Sequence, residues 1–394
     1  MKTAVNIVRI LVGALFIFSG LIKANDPLGL SYKMEEFFDL WNEGLGKGSF
    51  FINHLLIQFF EFLRHHSLAL SVLMIAFEII AGVALLIGWR MKVFSWLLLL
   101  LIIFFTFLTG YAYLSHNPDG SPKFSNCGCF GDCIPLTVTT SFLKDVALTI
   151  MIFFIFFNRE KIKPAFSAGT NLLVMLATTV FSFGLQWYVL TYLPLIDCLP
   201  FKKGNNISEK MKLPPDAVPD VKVITYIYEK DGKRIEFTAD KFPADFKSPP
   251  YKYIDRYDKV VRKGKNNEPP IKGFELKGES GEDSTAAILS LPQCFLLFCE
   301  NFKKPVSSWQ KDFQRLIEFA AVKNIPVYIV SSSQREAKKA IASTSFATIP
   351  IFECDYTAIR TAARTNPCLY FLKQGTVVNK WSDKEITKGV GEIK

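Results

Sequence analysis

Five long apolar runs constrain the fold of this chain more than any other feature of the sequence. A helix rises 1.5 Å per residue, so about 20 apolar residues cross a hydrocarbon core of about 30 Å. The runs are Ala4–Leu21, Leu68–Trp89, Val93–Leu114, Ser141–Phe157 and Asn171–Leu193. No small-x-small cleavage site follows the first run, so we interpret it as a retained helix rather than a signal peptide. The sequence therefore predicts a multi-domain membrane protein that begins with an all-α transmembrane part.

The remainder of the chain has the composition of a water-soluble protein. The whole sequence is 50% hydrophobic with a formal net charge of +10, and the apolar excess lies before about residue 195. Basic residues are spread through the second half and flank the apolar runs, with no basic stripe that carries interleaved aromatics. We therefore predict contact with membrane lipid and no nucleic-acid partner.

The basic residues between the runs predict how the chain is oriented. In a five-span arrangement one side carries Lys2, Arg9, Arg90, Lys92, Arg159, Lys161 and Lys163. The positive-inside rule makes that side cytoplasmic. We therefore expect a multi-pass protein of the bacterial cytoplasmic (inner) membrane with a cytoplasmic N-terminus and a periplasmic C-terminal half. All eight cysteines then lie on the periplasmic side, where thiol–disulfide chemistry is possible.

Three of these thiols fall in one short loop, Asn-Cys-Gly-Cys-Phe-Gly-Asp-Cys, between the third and fourth runs. We predict that Cys127, Cys129 and Cys133 are the catalytic thiols. A disulfide between Cys127 and Cys129 would close a small, strained ring, and strained disulfides are more easily reduced. Cys133 could resolve either partner, and Cys198, just past the fifth run, is the other candidate redox partner.

Two other interpretations of the loop are open from the sequence alone. One is a static disulfide that ties the loop to its helices and leaves a thiol over. The other is a metal site that includes His116 or Asp132, but the spacing matches no closed zinc knuckle. We predict no metal.

Four ionisable residues near or within the apolar runs form a candidate intramembrane polar site: Glu78, Lys23, Lys144 and Asp145. A carboxyl group in mid-span is costly and indicates a function by default. Glu78 would bond a neighbouring helix, through Ser19 or Lys23, or release protons towards a quinone. Between the first two runs, Asp26–His66 is an amphipathic stretch that lies at the membrane interface or packs as an extramembrane helix.

Beyond the fifth run, the sequence predicts a β-rich connector and then an α/β domain. The connector contains a hairpin that turns at Asp231-Gly232. Predicted elements of the last part are strands Cys294–Cys299, Ile325–Val330 and Ile349–Phe352, helices Ser308–Ala321, Gln334–Ala342 and Tyr356–Ala363, and the hairpin Cys368–Leu372/Thr376–Trp381.

The first part of the chain resembles the DoxX/MauE family of redox-associated membrane proteins. The matching segments are Phe18–Lys23, Glu78–Gly82, Leu85–Gly88, Cys127–Gly131 and Ser141–Asp145. The resemblance implies a four-helix bundle in the cytoplasmic membrane, with roles in periplasmic thiol oxidation or electron transfer to quinone. The layout is also similar to bacterial relatives of vitamin K epoxide reductase, which join such a bundle to a fifth span and a tethered thioredoxin-like domain.

The last 110 residues or so resemble the thioredoxin fold. Asn366–Gly375 matches the strand that begins with a cis-proline, so Pro367 is the candidate cis-proline. The loop that carries Cys-x-x-Cys in that fold reads Phe302-Lys303-Lys304-Pro305 here, so this domain lacks the redox pair. The predicted domains are 1–165 (four-helix membrane domain), 166–195 (fifth helix), 196–283 (β-rich periplasmic connector) and 284–394 (thioredoxin-like domain).

These features predict a membrane thiol–disulfide redox protein that exchanges electrons between a periplasmic thiol or disulfide protein and the membrane quinone pool. Quinone is the one cofactor expected. Whether the chain is an enzyme stays open, because two other functions fit the sequence. One is a non-enzymatic scaffold or assembly factor with a structural disulfide, and the other is a subunit of a quinone-reducing oxidase.

Overall fold

Most of the described residues in the N-terminal half are helical. The computed structural model describes residues 2–46, 51–117, 122–124, 127–128, 130–239, 241–243, 245–247, 250–262, 264 and 266–393. Its first helices are α1 (Lys2–Ala24), α2 (Pro27–Leu45), α3 (Phe51–His65), α4 (Ser67–Ile87), α5 (Met91–Leu114), α6 (Val138–Phe157) and α7 (Ala168–Tyr192).

The five predicted spans correspond to α1, α4, α5, α6 and α7, which are long and apolar enough to cross a membrane. Polar caps set where several of these helices begin. Thr137 accepts a hydrogen bond from the backbone N–H of Thr140, and Ser167 accepts one from that of Thr170. Such caps satisfy N–H groups that have no partner within the first helical turn.

The predicted amphipathic stretch forms two helices, α2 and α3, rather than one. The Asp26 side chain caps α2 by accepting a hydrogen bond from the N–H of Gly29, and α2 ends before Gly46. Helix α2 packs against α3 and α4 and buries Met34, Phe37 and Phe38. Thus α2 is tightly packed, whereas α3 keeps several large apolar side chains exposed: Ile52, Leu55, Phe59 and Phe62.

The closest helix pair in the membrane half is α1 with α4. A Cβ atom added to Gly82 would lie 2.9 Å from the carbonyl oxygen of Gly13, so only glycine permits this approach. Helix α5 packs on α6, and α7 packs on the outer side of α4. This close contact places Lys23, near the end of α1, beside Glu78 in the middle of α4.

The C-terminal half contains two β-sheets and short helices. Its helices are α8 (Ile207–Lys210), α9 (Thr285–Leu289), α10 (Gln310–Val322), α11 (Gln334–Ile341) and α12 (Tyr356–Ala362). Its strands are β1 (Val221–Lys230), β2 (Lys233–Thr238), β3 (Lys252–Arg262), β4 (Cys294–Cys299), β5 (Val327–Ser331), β6 (Ile351–Glu353), β7 (Cys368–Lys373) and β8 (Thr376–Ser382). The antiparallel sheet β2-β1-β3 lies within the range predicted to be a β-rich connector.

The larger sheet has the order β6-β5-β4-β7-β8. Strands β4, β5 and β6 are parallel, and β7 and β8 are antiparallel to their neighbours. The central strand β4 is fully buried along its length, as its uninterrupted apolar sequence predicts. The Asn366–Pro367 peptide bond that leads into β7 is cis.

Both faces of this sheet are covered, and one cover comes from outside the predicted domain. On one face lie Phe313 and Leu316 of α10 and Ile341 of α11. The other face carries α12 together with a set of side chains from the predicted connector: Phe201, Ile207, Ile271, Phe274 and Leu276. The packing unit is therefore wider than the predicted range 284–394, because a sheet with two apolar faces needs a cover on each.

Candidate functional site

The loop between α5 and α6 is covalently joined to the segment that follows α7. Cys133 and Cys198 form a disulfide that spans 65 residues of sequence, with their Cα atoms 4.9 Å apart. Both cysteines are half-buried, so a thiol in solution has a path to the bond. The sequence indicated Cys198 as a partner of the loop but did not separate this pairing from the others.

Cys127 lies on the other side of the same loop, facing the helices. It is 9% exposed and packs in a cluster with Phe37, Phe124 and Val138. Gly128 follows with a positive φ of 65°, a conformation that favours glycine. The third predicted thiol, Cys129, lies outside the described residues.

Cys127 lines a cavity of about 60 Å³ among α1, α2, α4, α5 and α6, which we call the polar cavity. Its polar lining consists of Ser19, Lys23, Lys33, Glu78, Thr109, Lys144 and Asp145. All four predicted intramembrane polar residues thus meet in one place, directly beneath the loop.

Two ion pairs lie in the wall of the polar cavity. The Nζ atom of Lys23 lies 2.5 Å from Oε2 of Glu78, and each side chain is 4% exposed. Nζ of Lys144 lies 2.8 Å from Oδ1 of Asp145, and the Thr109 hydroxyl donates a hydrogen bond of 3.0 Å to Oδ2 of Asp145. Of the two partners that the sequence suggested for Glu78, the ammonium of Lys23 is in contact. A buried charge is tolerated only when paired, and such paired groups inside membranes mark polar pathways.

The opposite side of the loop borders a water-facing space between the two halves of the molecule, which we call the interdomain cleft. Its volume is about 1180 Å³, and it is lined by residues of α2, the loop, the segment after α7 and α12. Asp132 and Cys198 lie on its wall, together with Lys33 and Arg364. Through Cys198, the disulfide therefore borders this cleft.

A buried arginine joins the C-terminal sheet domain to the loop. Arg364, 4% exposed, donates from Nε to Asp26 Oδ2 at 2.8 Å and from Nη2 to Asp132 Oδ2 at 3.1 Å. Burial opposes its charged form, but Asp26, Tyr32 and Asp132 outweigh burial and raise the pKa of Arg364 above its ordinary value. Asp132 directly precedes Cys133, so this fork fixes the loop next to the disulfide.

A second arginine, one helical turn earlier, extends the same contact. Arg360 pairs with Glu35 of α2 at 2.8 Å and with Glu300 at 3.2 Å. Its guanidinium also stacks 3.6 Å from the ring centroid of Tyr32. Burial and, secondarily, Glu300 raise the pKa of the Tyr32 hydroxyl.

Sequence reasoning missed both arginines. The one local signal in this cluster was Asp26-Pro27, which is typical of a helix start and does not reveal a distant partner. Asp26 and Arg364 are 338 residues apart, so no spacing rule connects them.

The cysteines of the sheet domain are in a different environment. Cys294, Cys299, Cys354 and Cys368 are all buried, with at most 4% exposure. Burial raises the pKa of Cys368 to about 11 and the pKa values of Cys294 and Cys354 to about 12. They are neutral thiols at physiological pH, which makes them poor nucleophiles. In the Phe302–Pro305 loop, Lys304 forms an ion pair with Asp383.

Comparison with known proteins gives a clear result for the membrane half. Residues 1–158 match the family model described as methylamine utilisation protein MauE. With its apolar helices, this part of the chain fits a MauE-like membrane protein. Residues 223–263, which include most of β1 and all of β2 and β3, match a domain of unknown function, DUF8463. No curated protein matches the sequence.

The MauE match confirms that part of the predicted resemblance and covers the cysteine loop and the five helices around the polar cavity. The chain is a multi-pass membrane protein with five candidate spans. The DoxX resemblance and the thioredoxin-like identity of the sheet domain remain predictions.

Proposed function

We propose that this protein is a membrane thiol–disulfide exchange protein whose Cys133–Cys198 disulfide accepts electrons from a periplasmic dithiol protein. The observation that carries the proposal is the position of the loop between two spaces. Its disulfide borders the interdomain cleft, and Cys127 borders the polar cavity that contains the Lys23–Glu78 pair. A loop so placed can pass electrons from water towards the membrane.

The first step is exchange with the partner. A partner thiolate attacks one sulfur of the Cys133–Cys198 bond, forms a mixed disulfide and releases the other cysteine as a thiolate. The partner's second thiol then breaks the mixed disulfide, which leaves the partner oxidised and Cys133 and Cys198 reduced. Two electrons and two protons have moved to this protein.

The second step returns the pair to its oxidised form. We assign Cys127 and Cys129 as a second redox pair that takes the two electrons by exchange and passes them to a membrane quinone. Two thiols become one disulfide while the quinone gains two electrons and two protons and becomes a quinol. Lys23, Glu78, Lys144 and Asp145 are suited to bind the quinone oxygens and carry the protons, because they lie in the same cavity as Cys127.

This function requires that the cysteine loop faces the periplasm. The opposite ends of the helices carry the basic residues Arg9, Arg90, Lys92, Arg159, Lys161 and Lys163. The positive-inside rule favours a cytoplasmic location for that end. The description of the matching family, methylamine utilisation, is compatible with maturation of a periplasmic partner that needs disulfides.

The sheet domain would be a thioredoxin-like docking module without a redox pair of its own. The parallel β4–β5–β6 arrangement with an antiparallel β7–β8 hairpin supports this assignment. Arg360 and Arg364 support the docking role, because they attach α12 and the turn after it to the membrane half.

A scaffold function is the second candidate, and one observation favours it. The Cys133–Cys198 bond and the Arg364 fork together tie the loop, α2 and the sheet domain into one unit. A structural disulfide would serve that purpose equally well, without ever being reduced.

Thiol trapping on native membranes tests the proposal against the scaffold alternative. Free thiols are alkylated with a maleimide that shifts gel mobility, with and without depletion of quinone, in the wild type and in Cys133→Ser and Cys198→Ser. We expect the loop cysteines to accumulate as thiols when quinone is withdrawn, and each Ser variant to accumulate mixed disulfides with a partner. Cys354→Ser is the matched control and should behave like the wild type. A disulfide that stays fully oxidised without quinone would support the scaffold function instead.

A further inference from the structure

A large apolar groove lies beside the polar cavity, and the exchange chemistry of the loop does not use it. It runs between α2, α3, α4 and α5 and has a volume of about 880 Å³. Its walls are aliphatic and aromatic side chains, among them Phe38, Trp41, Leu63, Leu70 and Phe107. We call it the apolar groove.

The apolar groove and the polar cavity are neighbours with a single layer of side chains between them. Met34, Phe37, Met74 and Leu108 line both of them, so no other layer of side chains separates the two spaces. Two of these four residues are methionines, whose unbranched side chains rearrange at little cost. A molecule with a small polar head and a long hydrocarbon tail can therefore occupy both.

The volumes of the two spaces indicate which part of such a molecule each space would contain. At about 60 Å³ the polar cavity is smaller than a typical ligand pocket, whereas about 880 Å³ lies within the usual range. Most of the ligand's volume must then be apolar and lie in the groove. The head would sit at the junction near Met34 and Met74, within reach of the charged residues beyond.

From this geometry we infer that the apolar groove binds the isoprenoid tail of the quinone and holds the quinone head at the mouth of the polar cavity. The inference rests on the proposed function and names the class of its acceptor: a long-chain, membrane-resident quinone rather than a small soluble one. An ordinary phospholipid acyl chain is the competing occupant. Unlike a phospholipid, a quinone presents a small uncharged head, which suits a cavity whose charged lining residues are already paired: Lys23 with Glu78, Lys144 with Asp145, and Lys33 with Glu36.

Two glycines provide a matched pair of variants. Gly44 lines the groove, and a Cβ atom added there meets nothing within 4 Å. Gly184 lies in α7, away from the groove, and an added Cβ there also meets nothing within 4 Å. The series Gly44→Ala, Gly44→Leu and Gly44→Phe fills the groove in steps, and Gly184→Phe makes the same change elsewhere in the membrane half.

The experiment measures equilibrium binding to the full-length protein in lipid nanodiscs, with a decyl-tailed benzoquinone and a benzoquinone without a tail. Copurified quinone and phospholipid are quantified by extraction from the same samples. We expect Gly44→Phe to weaken binding of the tailed quinone by about tenfold, which is the effect of losing roughly two buried methylene contacts. Gly44→Leu should have a smaller effect, and Gly184→Phe and binding of the tail-less quinone should not change.

The outcomes separate this inference from the proposed function. If the wild type binds both quinones and Gly44→Phe leaves both affinities unchanged, the groove is not the tail site and the inference fails alone. The inference also fails alone if Gly44→Phe depletes copurified phospholipid but not quinone. If the wild type binds neither quinone and thiol trapping shows no response to quinone withdrawal, both proposals fail. Formation of the Cys133–Cys198 disulfide in every variant serves as the folding control.

Discussion

Six of the described cysteines occupy two settings, and the contrast between them separates cysteines suited to exchange from cysteines suited to packing. Cys133 and Cys198 lie half-buried at the boundary between the two halves of the protein, held by charged groups such as Asp132 and Arg364. The four cysteines of the sheet domain lie on or beside strands in an apolar core. Cysteine in a core behaves as a small hydrophobic residue, whereas cysteine beside charges and water is available for chemistry.

The difference also shows how the sheet domain contributes without a redox pair. Its own thiols are buried, yet it supplies Arg364 to the loop of the membrane half. The domain thereby positions a disulfide that belongs to another part of the chain.

The largest expected effect comes from removing that arginine. Arg364→Met leaves the carboxylates of Asp26 and Asp132 without their shared partner. We expect it to lower the free energy of unfolding by about 3 kcal/mol, near the lower end for a broken buried pair, because Asp132 is partly exposed. Arg364→Lys should restore less than half, since an ammonium cannot fork between two carboxylates. Denaturant titration in nanodiscs measures both.

The control for this prediction is Arg315→Met, which removes an arginine that is 60% exposed and whose nearest carboxylate, on Asp312, is 3.8 Å away. It should cost less than about 1 kcal/mol. Equal losses of unfolding free energy for Arg364→Met and Arg315→Met would mean that the fork does not hold Cys133 and Cys198 in place.

A further effect on stability should appear when the sheet thiols ionise. Their folded-state pKa values, about 11 for Cys368 and about 12 for Cys294, lie above the value of 9.0 for an exposed thiol. The folded state therefore holds these protons more tightly, and its stabilisation is complete below pH 9. Above pH 9 it should fall by up to about 1.4 kcal/mol per pH unit for each thiol until the folded pKa is reached.

Denaturant titrations of the full-length protein between pH 8 and pH 11 check this slope, and Cys368→Ala should make it shallower. Alkylation of Cys294 and Cys368 at pH 8 should also proceed only after unfolding. Rapid labelling of these thiols in the native protein would contradict the distinction between buried sheet cysteines and the cysteines suited to exchange.

Much of the fold followed from the sequence, because hydropathy and strand periodicity act locally. Each predicted span overlaps its helix closely, and the predicted strand Cys294–Cys299 has the observed bounds of β4. The split of the stretch after Asp26 into α2 and α3, and the packing of Phe201 and Phe274 onto the distant sheet, were not predicted. Those features depend on which surfaces meet, and a single sequence does not carry that information.

The candidate site was predictable in its members but not in its arrangement. Glu78 was conspicuous as a carboxyl group within an apolar run, and Lys23 was one of two suggested partners. The pairing of Cys133 with Cys198 could not be chosen over the alternatives, because loop length alone discriminates weakly between disulfides. The arginine fork had no sequence signal, since Arg364 lies in the C-terminal half of the chain and its carboxylate partners lie in the N-terminal half.

The most direct test of the proposed exchange is the reduction potential of the Cys133–Cys198 disulfide in native membranes. Membranes are equilibrated in thiol–disulfide buffers of known potential, and the two cysteines are then trapped and quantified, with Cys133→Ser identifying the signal. An exchanging disulfide should titrate above about −300 mV, within the range of the known thiol oxidoreductases. A midpoint below that value, where structural disulfides of secreted proteins lie, would contradict the exchange function and leave the disulfide a structural bond.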